Sequence, residues 1–348
     1  MPWKSRLFHL SLCLFCCLWL CTPLPLHAEE QSVQLKLLSV QKIWDQGNHN
    51  AFTDLVWYKD RFFCVFREGA GHVSPEGTIR VLSSRDGKQW GSTALLSLAG
   101  YDLRDPKISV DPIQDRLMIL GGAAKREGTQ TATEHRSFLT FSADGSTWES
   151  LTWIAAQNQW LWRLTWHDSK AWGVAYDCGL QDRNAKSYGT RLYCSGDGRE
   201  YIEWVAPLFE EHGPTEATLR FAADGTAYCL QRRDGKENNT ALLGTSQPPY
   251  QEWQWKDLGI YYGGPEFMAI PGSRWLAVGR VFTPEGARTQ VCALDVEQGQ
   301  LHPLLTLPSG GDTSYPGMVW RDGKVWISYY ASHEGKTSIY IAEIEVVE

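Results

Sequence analysis

Thr53-Asp54-Leu55-Val56-Trp57-Tyr58, a turn at Lys59-Asp60-Arg61, and then residues 62–66 closing on Arg67: this passage decides the fold. Two short apolar runs flank a polar turn, which is the pattern of a β-hairpin. The passage recurs at intervals of roughly fifty residues, a period that marks an array of repeated units. The later copies are 104–110 with 116–120, 161–166 with 171–177, 216–221 with 226–232, 266–270 with 274–280, and 315–320 with 324–330. A third short run follows in each copy, for example 78–82, 138–141 and 191–194. Helical periodicity is absent, and turn residues punctuate the runs. A four-stranded unit of this length cannot cover both of its faces alone, whereas units stacked round an axis can. The sequence therefore predicts an all-β chain, a six-bladed β-propeller of four-stranded antiparallel blades.

Around that array the chain is easily bounded. Lys4 and Arg6 precede an apolar run over 7–20, and Leu26-His27-Ala28 ends the stretch, so residues 1–28 read as a signal peptide and 29–348 as one propeller domain. Trp19 and Leu20 before Cys21 are too large for a lipoprotein signal, so a secreted or periplasmic location is expected. No later run is long enough to span a membrane. The formal charge is −7, and two units more acidic without Lys4 and Arg6, with no basic stripe for nucleic acid. Cys64, Cys178, Cys194, Cys229 and Cys292 are scattered, which excludes a cysteine-based zinc site and leaves free thiols, or a Cys178–Cys194 bridge across a hairpin. The reading expects no metal and no cofactor, and a monomer. The aromatic content is high, with 17 tryptophans in 348 residues, and most of these read as blade packing.

Three copies carry Ser-x-Asp-Gly-x-x-aromatic after the third run: Ser84 to Trp90, Ser142 to Trp148 and Ser195 to Tyr201. Asp accepts backbone hydrogen bonds in such a turn and Gly takes the positive φ, so these aspartates are folding devices. The turns resemble the Asp boxes of the sialidase (neuraminidase) superfamily, and this resemblance implies a six-bladed propeller over nearly the whole mature chain.

Propeller geometry selects the site. Ligands bind where first strands begin and second strands end. Those ends carry Asp54, Arg104, Asp105, Arg163, Glu216, Glu266 and Tyr315, and also Arg67, Asp177, Arg232, Arg280 and Tyr330. Arginine presents a planar fork that matches a carboxylate. Arg67, Arg232 or Arg233, and Arg280 or Arg288 are therefore expected to converge on a carboxylate of an acidic glycan. A tyrosine beside a carboxylate can be made nucleophilic, which is the known exception among glycosidases. The resemblance to sialidases implies Tyr315 as nucleophile, Glu216 as its base, and Arg232 with Arg280 or Arg288 on the carboxylate. It departs at residues 51–56, which lack the family's Arg-Ile-Pro, and at Glu68 to Glu76, which contain no Asp where the family has the aspartate that donates the proton. His72, Glu76 or Asp54 is expected to donate the proton instead. His333 and Tyr330 are further candidates for sugar hydroxyls, and Trp160 and Trp162 for sugar stacking. The function expected is a secreted sialidase-like hydrolase of acidic glycans. The alternatives are a lyase or hydrolase of uronic-acid polymers, with His72 or His333 doing the proton work, and a non-catalytic glycan-binding propeller.

Overall fold

The structure is a computed structural model that describes residues 33–128, 131–178 and 188–347, with Met1 and Trp3. The expected leader at 1–28 otherwise lies outside the described residues. Strand β1 (Gln34–Trp44) is followed by a meander of β2 (His49–Tyr58), β3 (Arg61–Gly69), β4 (Gly77–Ser84) and β5 (Gly91–Leu96). The plan repeats in β6 (Tyr101–Asp111), β7 (Arg116–Lys125), β8 (Glu134–Ser142) and β9 (Thr152–Ile154). It repeats again in β10 (Gln159–His167), β11 (Lys170–Asp177), β12 (Thr190–Ser195) and β13 (Ile202–Phe209). Next come β14 (Pro214–Phe221), β15 (Ala227–Arg233), β16 (Leu242–Ser246) and β17 (Gln254–Asp257). The fifth copy is β18 (Gly263–Ile270), β19 (Arg274–Thr283), β20 (Gly286–Asp295) and β21 (Gln300–Thr306). The last has only β22 (Thr313–Arg321), β23 (Lys324–Ala331) and β24 (Ser338–Val347), and β1 supplies its fourth strand, Gln34 pairing with Val347 and Trp44 with Ile339. No helix occurs among the described residues.

Local chemistry explains the hairpins. Lys59 and Asp60 both take positive φ, 41° and 65°, as a tight two-residue hairpin turn requires. In each Ser-x-Asp-Gly turn the carboxylate caps two amides, as Asp144 does for Ser146 and Thr147 at 2.8 and 3.0 Å. These turns join third to fourth strands, at the end of the units opposite the mouth. Gly87 (φ 71°) is needed for packing as well as for φ, since a Cβ there would lie 2.4 Å from the Trp326 ring of the last unit.

The sheets pack face to face. Val65, Ile79 and Val81 of the first unit bury against Leu103, Ile108 and Ile119 of the second, and Val278 and Val291 of the fifth against Ile327 and Ile344 of the last. Each such side chain contributes roughly 1.5–3 kcal/mol when fully buried. First strands touch in the order β2, β6, β10, β14, β18, β22 and back to β2, so the succession of units closes on itself. The Cys178–Cys194 bridge does not form, and no disulfide occurs among the described residues.

One irregularity is common to all six first strands. Pairing with the second strand slips between Ala51 and Asp54, Arg104 and Lys107, and Leu161 and Leu164. It slips likewise between Pro214 and Ala217, Gly263 and Glu266, and Ser314 and Gly317. Each slip leaves two residues opposite one: a β-bulge, which bends the strand and re-aims side chains. The leading bulge residues, in chain order, are Phe52, Asp105, Trp162, Thr215, Gly264 and Tyr315.

Candidate active site

Four of those six equivalent positions, Phe52, Asp105, Thr215 and Tyr315, line one cavity of about 370 Å³ at the mouth. Tyr315 holds φ 51° and Asp105 φ 49°, a conformation that is costly for residues with a side chain and characteristic of functional sites. Glycine at the fifth position makes room for the nucleophile candidate: a Cβ on Gly264 would stand 2.8 Å from the Tyr315 ring.

Tyr315 and Glu216 come from the sixth and fourth units, with only β18 between their strands. The Tyr315 hydroxyl donates to Glu216 Oε1 at 2.5 Å. Arg232 Nη1 donates to Glu216 Oε2 at 2.7 Å and to the Tyr315 oxygen at 3.0 Å. The Gly264 amide adds a bond to Oε2 at 2.8 Å. Burial pushes the Glu216 carboxyl up, but Arg232, the Tyr315 hydroxyl and the Gly264 amide outweigh it, and the net displacement is downward. Burial, reinforced by Glu216, pushes the Tyr315 phenol well up, against Arg232 and Arg280. The resting pair is therefore a carboxylate accepting from a neutral phenol, with a cation on both. The Arg280 guanidinium lies 5.2 Å from the Tyr315 ring centroid, and the rings of Phe52 and Trp162 pack against the same ring.

Across the cavity stands Asp105. It is 8% exposed and accepts no hydrogen bond from any described residue. Burial pushes its carboxyl up, and Arg104 and Lys107 offset part of the shift. Arg104 and Arg126 line the same wall, both paired with Asp102 behind it, at 3.1 and 3.3 Å. His135, also in that wall, is pushed down to about 4, by burial first and then by Arg126 and Arg104. Trp160 lines the cavity as expected of a stacking platform; Trp162 is instead buried beneath it.

The rim contains a third cluster. Asp312 Oδ2 lies 2.7 Å from His72 Nδ1 and 3.0 Å from His49 Nε2. Its other oxygen accepts from the Tyr330 hydroxyl at 2.8 Å and from Arg280 at 3.3 Å. Despite burial, these donors hold the Asp312 carboxyl well below the usual range.

Of the residues selected from sequence, Tyr315, Glu216, Arg232, Arg280, Arg104, Asp105 and His72 line the cavity. Tyr330 lies just behind it, through Arg280 and Asp312. The others sit elsewhere, each for an evident reason. Asp54, proposed as an acid, is 1% exposed and receives both contacts of Arg163 Nη1 at 2.9 Å. Arg163 also meets Glu266 at 2.6 Å, so both are consumed below the cavity. Arg67 is fully buried on Asp102 at 2.7 Å, where it holds the 71–74 loop through Gly71 O and Ser74 Oγ. Asp177 accepts from Arg191 and the Gly189 amide within its own unit. Arg288 bonds the Ala287 carbonyl and His333 packs on Tyr340, both away from the cavity. Glu76 is exposed and does not line it. His49, Asp312 and Asp234 were missed; Asp234, two residues beyond Arg232, receives its Nε at 2.9 Å, a spacing visible in Arg232-Arg233-Asp234.

No protein-family model matches the chain, and no curated protein is similar to it in sequence. Solved structures are similar in fold. A protein of unknown function from Dyadobacter fermentans aligns with a TM-score of 0.74 and 17% identity, over 90% of this chain and 99% of that one. An alpha-L-arabinanase of Penicillium chrysogenum, complexed with arabinobiose, aligns with a TM-score of 0.67 and 13% identity, over 88% and 98%. The Trypanosoma rangeli sialidase aligns with a TM-score of 0.64 and 13% identity over 85% of this chain, which spans 55% of that one. The shared feature is a propeller-like all-β fold. At such identities the likeness is one of fold alone.

Proposed function

We propose that the six meanders are the blades of a six-bladed β-propeller and that its mouth is the active site of a retaining glycoside hydrolase. The carrying observation is the 2.5 Å contact of the Tyr315 hydroxyl with Glu216, bridged by Arg232. In the first step the Tyr315 oxygen attacks the anomeric carbon while Glu216 takes its proton. Arg232 and Arg280 stabilise the charge that develops on the phenolic oxygen. Asp105 gives its proton to the departing glycosidic oxygen. Its raised carboxyl, which accepts no hydrogen bond from any described residue, suits it to this role better than His72, whose Nδ1 faces Asp312. In the second step Asp105 takes a proton from water, which displaces Tyr315, and Glu216 returns the phenolic proton.

Arg232 and Arg280 beside Tyr315 favour an acidic sugar, as the resemblance to sialidases implies. A second reading has its own support. The first-blade position facing Tyr315 is Phe52, 5.2 Å away ring to ring, where a third arginine would complete a carboxylate clamp. That substitution, together with the likeness in fold to an arabinanase, favours a neutral pentofuranoside. Parallel assays with 4-methylumbelliferyl α-sialoside and 4-nitrophenyl α-L-arabinofuranoside separate the two. Turnover of one, abolished in Tyr315→Phe, supports the hydrolase; turnover unchanged in that variant refutes the mechanism. The leader at 1–28 adds export to this reading, and the N-terminal mass of the mature protein tests it.

A further inference from the structure

The rim cluster points to a function separate from the hydrolase reading. We propose that His49, His72 and Asp312 bind a divalent transition-metal ion at the edge of the cavity. The three ligating atoms, His49 Nε2, His72 Nδ1 and Asp312 Oδ2, lie within 4.8 Å of one another and come from three separate segments. His49 opens β2, His72 lies in the loop after β3, and Asp312 directly precedes β22. Metal bonds to imidazole nitrogen and carboxylate oxygen are about 2.1 Å, so neighbouring ligands at right angles stand about 3 Å apart. The observed separations from Asp312, 2.7 and 3.0 Å, match that spacing. The two ring nitrogens lie within 4.8 Å of each other, and a metal would draw them together. His72, on a loop with Gly69 and Gly71, is the ligand free to make it.

The surroundings suit a metal in two further respects. The non-ligating oxygen of Asp312 is fixed by the Tyr330 hydroxyl at 2.8 Å and by Arg280, the outer support that ligating carboxylates generally have. His49 is mostly buried against Phe52, whereas His72 faces the cavity, so the open coordination positions point where solvent or substrate enters. Two imidazoles with one carboxylate favour zinc, manganese, iron or nickel over calcium or magnesium. The Arg280 guanidinium opposes any cation here, so the affinity expected is micromolar. Bound metal would clip the 70–76 loop to the segment that carries Tyr315.

Zinc and cobalt chlorides are the probes, titrated calorimetrically into untagged full-length protein stripped with chelator. The expected result is one ion per chain, with affinity weakened at least tenfold in His72→Ala and in His49→Gln. Cobalt should give a visible absorption band that both variants lose. His72 is exposed on its loop, so His72→Ala should keep the circular dichroism of the parent, and His49→Gln checks the same ligand set independently. Absence of saturable binding, or equal binding by folded His72→Ala, overturns the site and identifies the cluster as a hydrogen-bonded latch only.

Discussion

Two layers of the same channel use the same residue types for opposite ends. The upper layer contains Tyr315, Glu216 and Arg232 around the cavity. In the lower layer Asp54 of β2, Arg163 of β10 and Glu266 of β18 are joined by ion pairs, and Arg220 of β14 completes them on Glu266. Lys107 of β6 reaches the Thr53 carbonyl at 3.4 Å, and Arg163 the Pro316 carbonyl of β22 at 3.1 Å. Every first strand thus contributes to one sealed network. The lower charges are paired with one another, and Asp54, Arg163 and Glu266 are buried out of reach of a ligand. In the upper layer a phenolic proton sits between two oxygens and Asp105 accepts no hydrogen bond from any described residue, so groups able to exchange a proton face the cavity. Charge at a channel end is thus ambiguous; the partner count beneath it decides between scaffold and chemistry.

Separating the layers by mutation is the sharpest test of that contrast. Tyr315→Phe should lower kcat/KM about ten-thousandfold while leaving urea unfolding nearly unchanged. A matching loss of stability would make the upper layer structural. Arg163→Met should do the reverse, costing about 3–5 kcal/mol of unfolding free energy because Asp54 and Glu266 lose their shared cation. If its midpoint stays at the parent value, the lower layer does not tie the blades. Asp105→Asn should slow substrates with poor leaving groups about 100- to 1,000-fold and spare those with activated leaving groups. Equal losses on both would remove Asp105 from the proton-donor role.

The smallest effect concerns Lys107. Burial, then Arg163, pushes its ammonium down to about 8 from 10.5. Between pH 8 and 10.5 the unfolded chain binds the extra proton, so stability rises with pH across that window, and the full penalty applies below it. The rise is at most about 3 kcal/mol. Lys107→Met should flatten it, read as the difference between parent and variant unfolding curves at pH 7.5 and 10. An identical slope in both would place the titration elsewhere.

Much of this was legible in the chain. Repeated hairpins with turn residues between them are local signals, and each unit carries its own copy. Tyr315, Glu216 and Arg232 were legible because strand ends fall at the mouth. The division between layers was not. Asp54 and Asp105 both follow the start of a first strand, yet one is sealed and the other lines the cavity. Their places at the bulge make that difference: Asp105 is its leading residue, whereas Asp54 follows it. Bulges leave a sequence trace: Pro106, Pro265 and Pro316 each stand inside a first strand, at the bulge, one of the few places where a sheet accommodates proline. His49 and Asp312 were invisible for another reason, since 263 residues separate them along the chain and only ring closure brings them together.

That closure also orders events in time. Because β1 is the outer strand of the sheet that carries Tyr315, a strand made before the other meanders must wait for β24, made after them. A chain growing from its N-terminus can complete the middle meanders as they emerge, but the sheet bearing Tyr315 is completed only by the pairing of β1 with β24, across all the other meanders, the costliest loop to close. Nascent or truncated chains therefore hold the arginines and Glu216 without Tyr315 set against them. The contact between Tyr315 and Glu216 therefore reports that the ring of sheets has closed.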